Sequence, residues 1–347
     1  QTRQSKRQMN KKTMKAFTFK RYGKSPGLGI DDVDFPSPGD DEILVKVYAV
    51  GLNPIDNMIP TGMFKRVLHF SLPATLGSDV SGVVVATGRR VTRFKAGDEI
   101  FASIFDRGTG SLAEFVRVPE SLAALKPASL DFVQAASLPM VSLTSWQALT
   151  ERAMLRAGQK VFIPAGSGGI GSFAIQLAKH FGATVGTTTS AANIDWVSRL
   201  GADDVVDYRK QEFEKVLSGY DIVLGTIRGD AIEKSTQILK PGGKIISLIG
   251  PLDAAFARER HLNVFLRFVL GLMSRKIMRL TKKRGLTYSF LFVRPDGSQL
   301  SQIGELMDAE LIKPVIDKVY PFAETSDAFT YLARGHAKGK VVVKVHG

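Results

Sequence analysis

Short apolar runs with alternating polar positions fill the first third of the chain. Ile43–Val50 and Val80–Val85 are the clearest, and their period predicts β-strands. Turn residues break the pattern at Pro26-Gly27, Pro38-Gly39 and Gly97-Asp98. Closely spaced strands and turns predict a small barrel from about residue 14 to 136. Leu130–Leu138 and Leu143–Met154 read as helices. The texture changes at Lys160. Short apolar strands (Lys160–Pro164, Val185–Thr188, Asp204–Val206, Asp221–Leu224, Lys244–Leu248) alternate with helical patterns such as Ile170–Phe181. That alternation predicts a parallel sheet with crossover helices. Leu286–Val293 reads as a further strand and Ser298–Glu310 as a helix. Strands flank a short helix over Pro314–Gly347, where the chain is expected to return to the first domain.

Composition narrows the chemistry. The chain has 347 residues, enough for two domains, with 44% hydrophobic and 23% charged residues. It has no cysteine, which excludes disulfides, thiol nucleophiles and cysteine-held metal. The net charge is +14, and its placement matters more than its size. Residues 1–13 carry five basic side chains and no acid, and residues 258–284 carry nine against Glu259 alone. The rest is nearly neutral, so a nucleic-acid surface spread over the fold is not expected. Residues 1–13 read as a disordered leader without a secretory core, and a cytoplasmic location is the expectation.

The most informative stretch is Ala165-Gly166-Ser167-Gly168-Gly169-Ile170-Gly171. Gly166, Gly168 and Gly171 fit G-x-G-x-x-G, placed after one strand and opening a helix. The spacing predicts a tight turn, close approach of backbone to a pyrophosphate, and N–H groups at the helix start that favour phosphate. An ordinary glycine-rich turn without ligand is the competing reading. The second strand ends Gly186-Thr187-Thr188-Thr189-Ser190, without the acid that usually binds a ribose 2′-hydroxyl. Thr188, Thr189 and Ser190 offer hydroxyls to a 2′-phosphate, and Tyr208-Arg209 adds positive charge, so NADPH is expected rather than NADH.

From Met14 onward the chain resembles the zinc-free quinone oxidoreductase branch of the medium-chain dehydrogenase/reductase superfamily. Gly51-Leu52-Asn53-Pro54-Ile55-Asp56, Leu76–Gly82, Leu143–Leu149, the Ala165–Gly171 loop, Leu239–Gly243 and Gly335–Val342 carry the likeness, in the family's order. The resemblance implies an α/β protein with a GroES-like β-barrel catalytic domain (14–136 and 295–347) and a Rossmann doubly wound parallel sheet (137–294). It also implies homodimers paired near Leu286–Val293. One departure is Gly225, where relatives usually carry Asp. Zinc-dependent members carry Gly-His-Glu where this chain has Gly77-Ser78-Asp79, so no metal is expected.

The implied reaction is hydride transfer to a small electrophilic acceptor, a quinone or an α,β-unsaturated carbonyl. Asn53 is the candidate for polarising the acceptor oxygen, with Asp56 orienting a neighbour; a simple turn cap is the alternative for both. Thr144 matches the family threonine near the nicotinamide. Leu248, Ile249, Gly250, Phe290, Leu291 and Phe292 are expected to flank the nicotinamide amide, or else to be strand core. His336 and Lys340 are expected near the cofactor phosphates, with a solvated strand charge as the other reading of Lys340.

Residues 258–284 form a basic insertion. Leu262, Phe265, Leu266, Val269, Leu272, Met273, Ile277 and Leu280 recur at helical spacing and are expected to form its apolar face. The face either packs over the active-site mouth or a dimer partner, or lies on an anionic membrane. The alternative functional reading is a non-catalytic NADPH-binding protein docking on membrane or RNA through its basic segments.

Overall fold

The computed structural model describes residues 12–346. The leader expected over 1–13 lies outside them, apart from Lys12 and Thr13, and Thr13 already opens a strand. The chain forms two compact units. One runs to Leu143 and resumes at Arg294; the other is Thr144–Val293.

The first unit begins with β1 (Thr13–Phe19), β2 (Gly29–Asp34), β3 (Glu42–Leu52), the short helix α1 (Pro54–Met58), β4 (Ala74–Thr75), β5 (Asp79–Thr87), β6 (Glu99–Ser103), β7 (Phe115–Pro119) and β8 (Ala123–Leu125). Helix α2 (Phe132–Ala136) follows. Helix α3 (Pro139–Trp146) then crosses into the second unit and continues as a π-helical turn over Gln147–Arg152. The helix expected from Leu143 therefore starts earlier, because proline is well suited to a first turn that needs no N–H.

The second unit comprises β9 (Lys160–Ile163), α4 (Gly169–His180), β10 (Thr184–Thr189), α5 (Ile194–Arg199), β11 (Asp204–Asp207), α6 (Phe213–Val216), β12 (Tyr220–Gly225), α7 (Ala231–Ser235), β13 (Leu239–Ser247), α8 (Ala254–Glu259), α9 (Val264–Lys283) and β14 (Thr287–Phe290). Its strands are parallel, in the order β11-β10-β9-β12-β13-β14. This is the doubly wound order, which opens a crevice where the winding reverses, between β9 and β12. Phe162, Tyr220, Val223, Ile245 and Tyr288 fill the core on one face, with Ile232 and Ile277 from the helices above. The strand expected over Leu286–Val293 stops at Phe290. Leu291 N–H still donates to Ser247 O at 2.8 Å, and with β13 ending at Ser247 the ladder has no further partner.

Back in the first unit, α10 (Gly297–Asp308), β15 (Ile316–Pro321), α11 (Thr325–Ala333) and β16 (Lys340–Lys344) complete the chain. β16 pairs with β3, giving the sheet β15-β16-β3-β5-β6-β8 with β7 also on β3; β2-β1-β4 forms a smaller sheet.

Helix α9 corrects the expected register of the basic insertion. Its buried stripe is Leu270, Ser274, Ile277 and Thr281, while Phe265, Leu272 and Met273 are exposed. The two polar members are buried cheaply, because their hydroxyls donate back one turn: Ser274 to Leu270 O at 3.0 Å and Thr281 to Ile277 O at 2.9 Å.

Candidate active site

The glycine turn is built by packing more than by backbone freedom. A Cβ on Gly166 would stand 2.3 Å from Thr187 Oγ1, and one on Gly171 would stand 2.4 Å from Ala165 O. Both positions are closed to any side chain. A Cβ on Gly168 would meet only Ala165 O, at 3.4 Å, so this position faces open space. The left-handed residue of the turn is Ala165 (φ 56°), a non-glycine residue. β10 holds the turn in place. Ala165 N–H donates to Thr188 Oγ1 at 3.1 Å and Gly166 N–H to Thr188 O at 3.0 Å. Thr188, expected to meet a phosphate, is thus a buried brace.

Beyond the turn, Gly168 caps α4, and the first N–H groups of that helix (Gly169, Ile170, Gly171) have no carbonyl one turn back. Ser167 sits on the turn between them and Gly166. At the end of β10, the Thr189 hydroxyl is buried without a hydrogen-bond partner. Ser190 Oγ accepts from Asn193 Nδ2 at 3.3 Å, and the Tyr208 N–H donates to Thr189 O at 3.2 Å. Tyr208 is exposed, and the Arg209 guanidinium lies 5.9 Å from its ring centre. Asp207 is the acid beside this group, and its carboxylate accepts from Arg209 N–H at 3.1 Å. An orphan hydroxyl, an exposed arginine and a helix start with free N–H groups make a donor set that fits a phosphorylated dinucleotide.

At the end of β13, Leu248 N–H donates to Gly225 O at 2.9 Å, and Ser247 Oγ donates to Gly250 O at 2.8 Å. Ile249, Gly250, Arg228, Ile232, Met273 and Lys276 line a pocket of about 260 Å³ beside this loop. Phe290 and Leu291 are buried, with Phe290 edge-on to Phe256 at 5.3 Å, so these two are core. Phe292 is only half-buried and leaves the sheet after them. Thr144 is buried on α3, at the start of the second unit.

The first unit holds a buried polar cluster. Asn53 Nδ2 donates to Asp79 Oδ2 at 2.9 Å and, at 3.4 Å, to Gly51 O. Its Oδ1 accepts from Lys340 Nζ at 2.6 Å, and that ammonium lies 3.5 Å from Asp79 Oδ2. Met140 N–H donates to Asp79 Oδ1 at 3.0 Å. Asp56 accepts from Asn53 N–H at 2.8 Å and from the Ser78 hydroxyl at 2.5 Å. Lys340 is therefore a buried counter-ion, which corrects both the solvated-charge and the phosphate-reaching expectations. The Asn53 amide is spent on its neighbours. His336 is exposed in the loop before β16.

Burial pushes the Asp56 carboxyl up to about 7, with Asp79 adding repulsion and the Ser78 and Asn53 hydrogen bonds opposing. Burial also raises Asp79, offset mainly by Lys340, and lowers the Lys340 ammonium, offset mainly by Asp79. A protonated Asp56 leaves one carboxylate facing one ammonium, which balances the charge of the cluster. Ser78 and Asp79 carry no role in the sequence reading beyond their motif. The available signal was a carboxylate at the head of an otherwise apolar strand.

Residues 39–128 match the alcohol dehydrogenase GroES-like domain, and residues 200–343 match the zinc-binding dehydrogenase family. The chain is 36% identical to the mitochondrial NAD(P)H oxidoreductase RTN4IP1 of Danio rerio, over 96% of this chain and 91% of that protein. It is 35% identical to the chloroplastic NADPH-dependent alkenal/one oxidoreductase of Arabidopsis thaliana, over 96% and 80%. The solved quinone oxidoreductase of Coxiella burnetii superposes with a TM-score of 0.84 at 30% identity, covering 96% of this chain and all of that one. The chain belongs to the medium-chain dehydrogenase/reductase superfamily and is an oxidoreductase of that fold. Within it, the chain falls in the quinone oxidoreductase branch.

The zinc in one family's name does not fit these residues. The chain has no cysteine, and among the described residues no three His, Asp or Glu side chains are grouped to hold a metal. Where a ligand set would lie, Ser78 and Asp79 are engaged by Asp56, Asn53 and Lys340.

Proposed function

We propose that this protein is an NADPH-dependent reductase acting on a quinone or an α,β-unsaturated carbonyl. The observation that carries the reading is the glycine turn at the opening of the doubly wound sheet, with Gly168 open to a phosphate; hydroxyls rather than an acid at the end of β10, and Arg209 after β11, support a 2′-phosphate there. The relatives named as alkenal/one and quinone oxidoreductases support the acceptor class.

When bound, NADPH supplies a hydride, to the β-carbon of an enone or to a quinone. The N–H groups of Gly169, Ile170 and Gly171 and the turn at Ser167 hold the pyrophosphate. Ser190, Tyr208, Arg209 and the Thr189 hydroxyl hold the 2′-phosphate. Leu248, Ile249, Gly250, Phe292 and Thr144 would hold the nicotinamide end of the cofactor. Asn53, held by Asp79 and Lys340, is a positioning residue with Asp56. The enolate left by reduction takes its proton from water, so no acid of the chain is required. The same reading pairs two copies through β14, the edge strand of the sheet.

Deuterium tracing tests the mechanism. With NADPH deuterated at C4 and a 2-alkenal, the label is expected at the β-carbon of a saturated aldehyde. Label on the carbonyl carbon, giving an alcohol, would contradict it. NADPH binding without turnover of any acceptor would favour the non-catalytic reading instead.

A further inference from the structure

We propose that the solvent face of α9 docks this protein on a membrane surface containing anionic lipid. The face opposite the buried stripe runs through Val264, Phe268, Leu272, Arg275, Arg279 and Lys282 in steps of three and four, with Phe265 alongside. Its first half is apolar and strongly exposed: Val264 is 77% exposed, Phe265 70% and Phe268 66%. Its second half is cationic. Among the described residues, Arg275, Arg279 and Lys282 meet no acidic partner, and α9 itself contains no Asp or Glu.

Two exposed phenylalanines on one helix face are uncommon on a water-facing surface. At 20 residues, α9 is about 30 Å long. No described helix is long and apolar enough to cross a membrane, so the helix lies on the surface. In that pose the aromatic half sinks to the acyl boundary and the cationic half meets phosphate headgroups. A second copy is a poor occupant. Two-fold pairing of this face would set cations against cations, or the apolar half of one helix against the cationic half of the other. RNA is a poor occupant as well, since its recognition interleaves stacking aromatics with charge, whereas here the two are separated along the helix.

The experiment is cosedimentation of the full chain with vesicles of phosphatidylcholine alone and of phosphatidylcholine with phosphatidylglycerol. Binding is expected only to the anionic vesicles and should weaken as salt rises. The Arg275→Gln/Arg279→Gln pair should weaken partition roughly thirtyfold. The Phe265→Ser/Phe268→Ser pair should abolish it. These side chains are exposed, so NADPH oxidation by both variants should match the parent and show that they fold. Three results would overturn the proposal. One is no sedimentation with anionic vesicles. Another is a Phe265→Ser/Phe268→Ser variant that sediments like the parent. The third is an oligomer, or an RNA complex, that this variant abolishes while vesicles bind nothing.

Discussion

Asn53 donates its side-chain amide to Asp79 at 2.9 Å while accepting the Lys340 ammonium at 2.6 Å. One amide thus bridges a carboxylate and an ammonium that are both buried, and fixes the first turn of α1 against β5 and β16. Breaking this arrangement from one side leaves an unpaired charge. Lys340→Met should destabilise the fold by about 3 kcal/mol in urea unfolding, because Asp79 loses its counter-ion. Adding Asp79→Asn should recover a good part of that loss. Equal instability of the single and double variants would show that charge pairing is not what Lys340 supplies.

Asp56 gives the protein a pH signature. Its folded-state pKa is raised to about 7 from an ordinary 3.8. Between those values the unfolded chain releases a proton that the folded chain keeps. The stabilisation is therefore full below about pH 4 and falls as pH rises through 7. The slope should be at most roughly 1.4 kcal/mol per pH unit. Asp56→Asn mimics the protonated carboxyl, accepting from Asn53 N–H and donating to Ser78, and should flatten this decline. Chemical denaturation at several pH values between 5 and 8 is the check, and parallel slopes for parent and variant would contradict the assignment.

The glycines of the turn should separate by role. Gly171→Ala drives a methyl into Ala165 O and should cost about 2 kcal/mol of stability along with NADPH binding. Gly168→Ala leaves the fold intact, since its Cβ meets only an ordinary contact, but crowds the phosphate. Thermal unfolding and nucleotide titration of the two variants should therefore disagree, with Gly168→Ala normal in the first and impaired in the second.

Arg209 is the test of cofactor choice. Arg209→Ala should weaken NADPH binding about tenfold and leave NADH binding nearly unchanged, as loss of a charge-assisted contact to a 2′-phosphate requires. Fluorescence titration with both nucleotides reads this directly. Equal weakening of the two would place Arg209 elsewhere.

The parallel sheet and its glycine turn were legible in the sequence because strand and helix periods alternate clearly after Lys160 and the glycines fall where the winding opens. The buried cluster was not, since Asn53 and Lys340 are 287 residues apart and only the pairing of β16 with β3 brings them together. The face of α9 misled for another reason. Phe265, Leu272 and Met273 are as apolar as Leu270 and Ile277, so periodicity finds two stripes and cannot choose between them. The sheet accepted the stripe holding Ser274 and Thr281, whose hydroxyls are satisfied within the helix. Thr188 shows the same limit at the scale of one side chain, because a hydroxyl that braces a turn looks in sequence like one that awaits a phosphate.

The central claim is that the protein moves reducing equivalents from NADPH to an electrophilic double bond or quinone. The most direct measurement is NADPH consumption, followed by absorbance, with a 2-alkenal and the saturated aldehyde of the same chain length, a short quinone, and NADH in parallel. The account predicts turnover of the alkenal or the quinone with NADPH, and little with the saturated aldehyde or with NADH. Preferential turnover of the saturated aldehyde, or none with any acceptor despite tight NADPH binding, would contradict it.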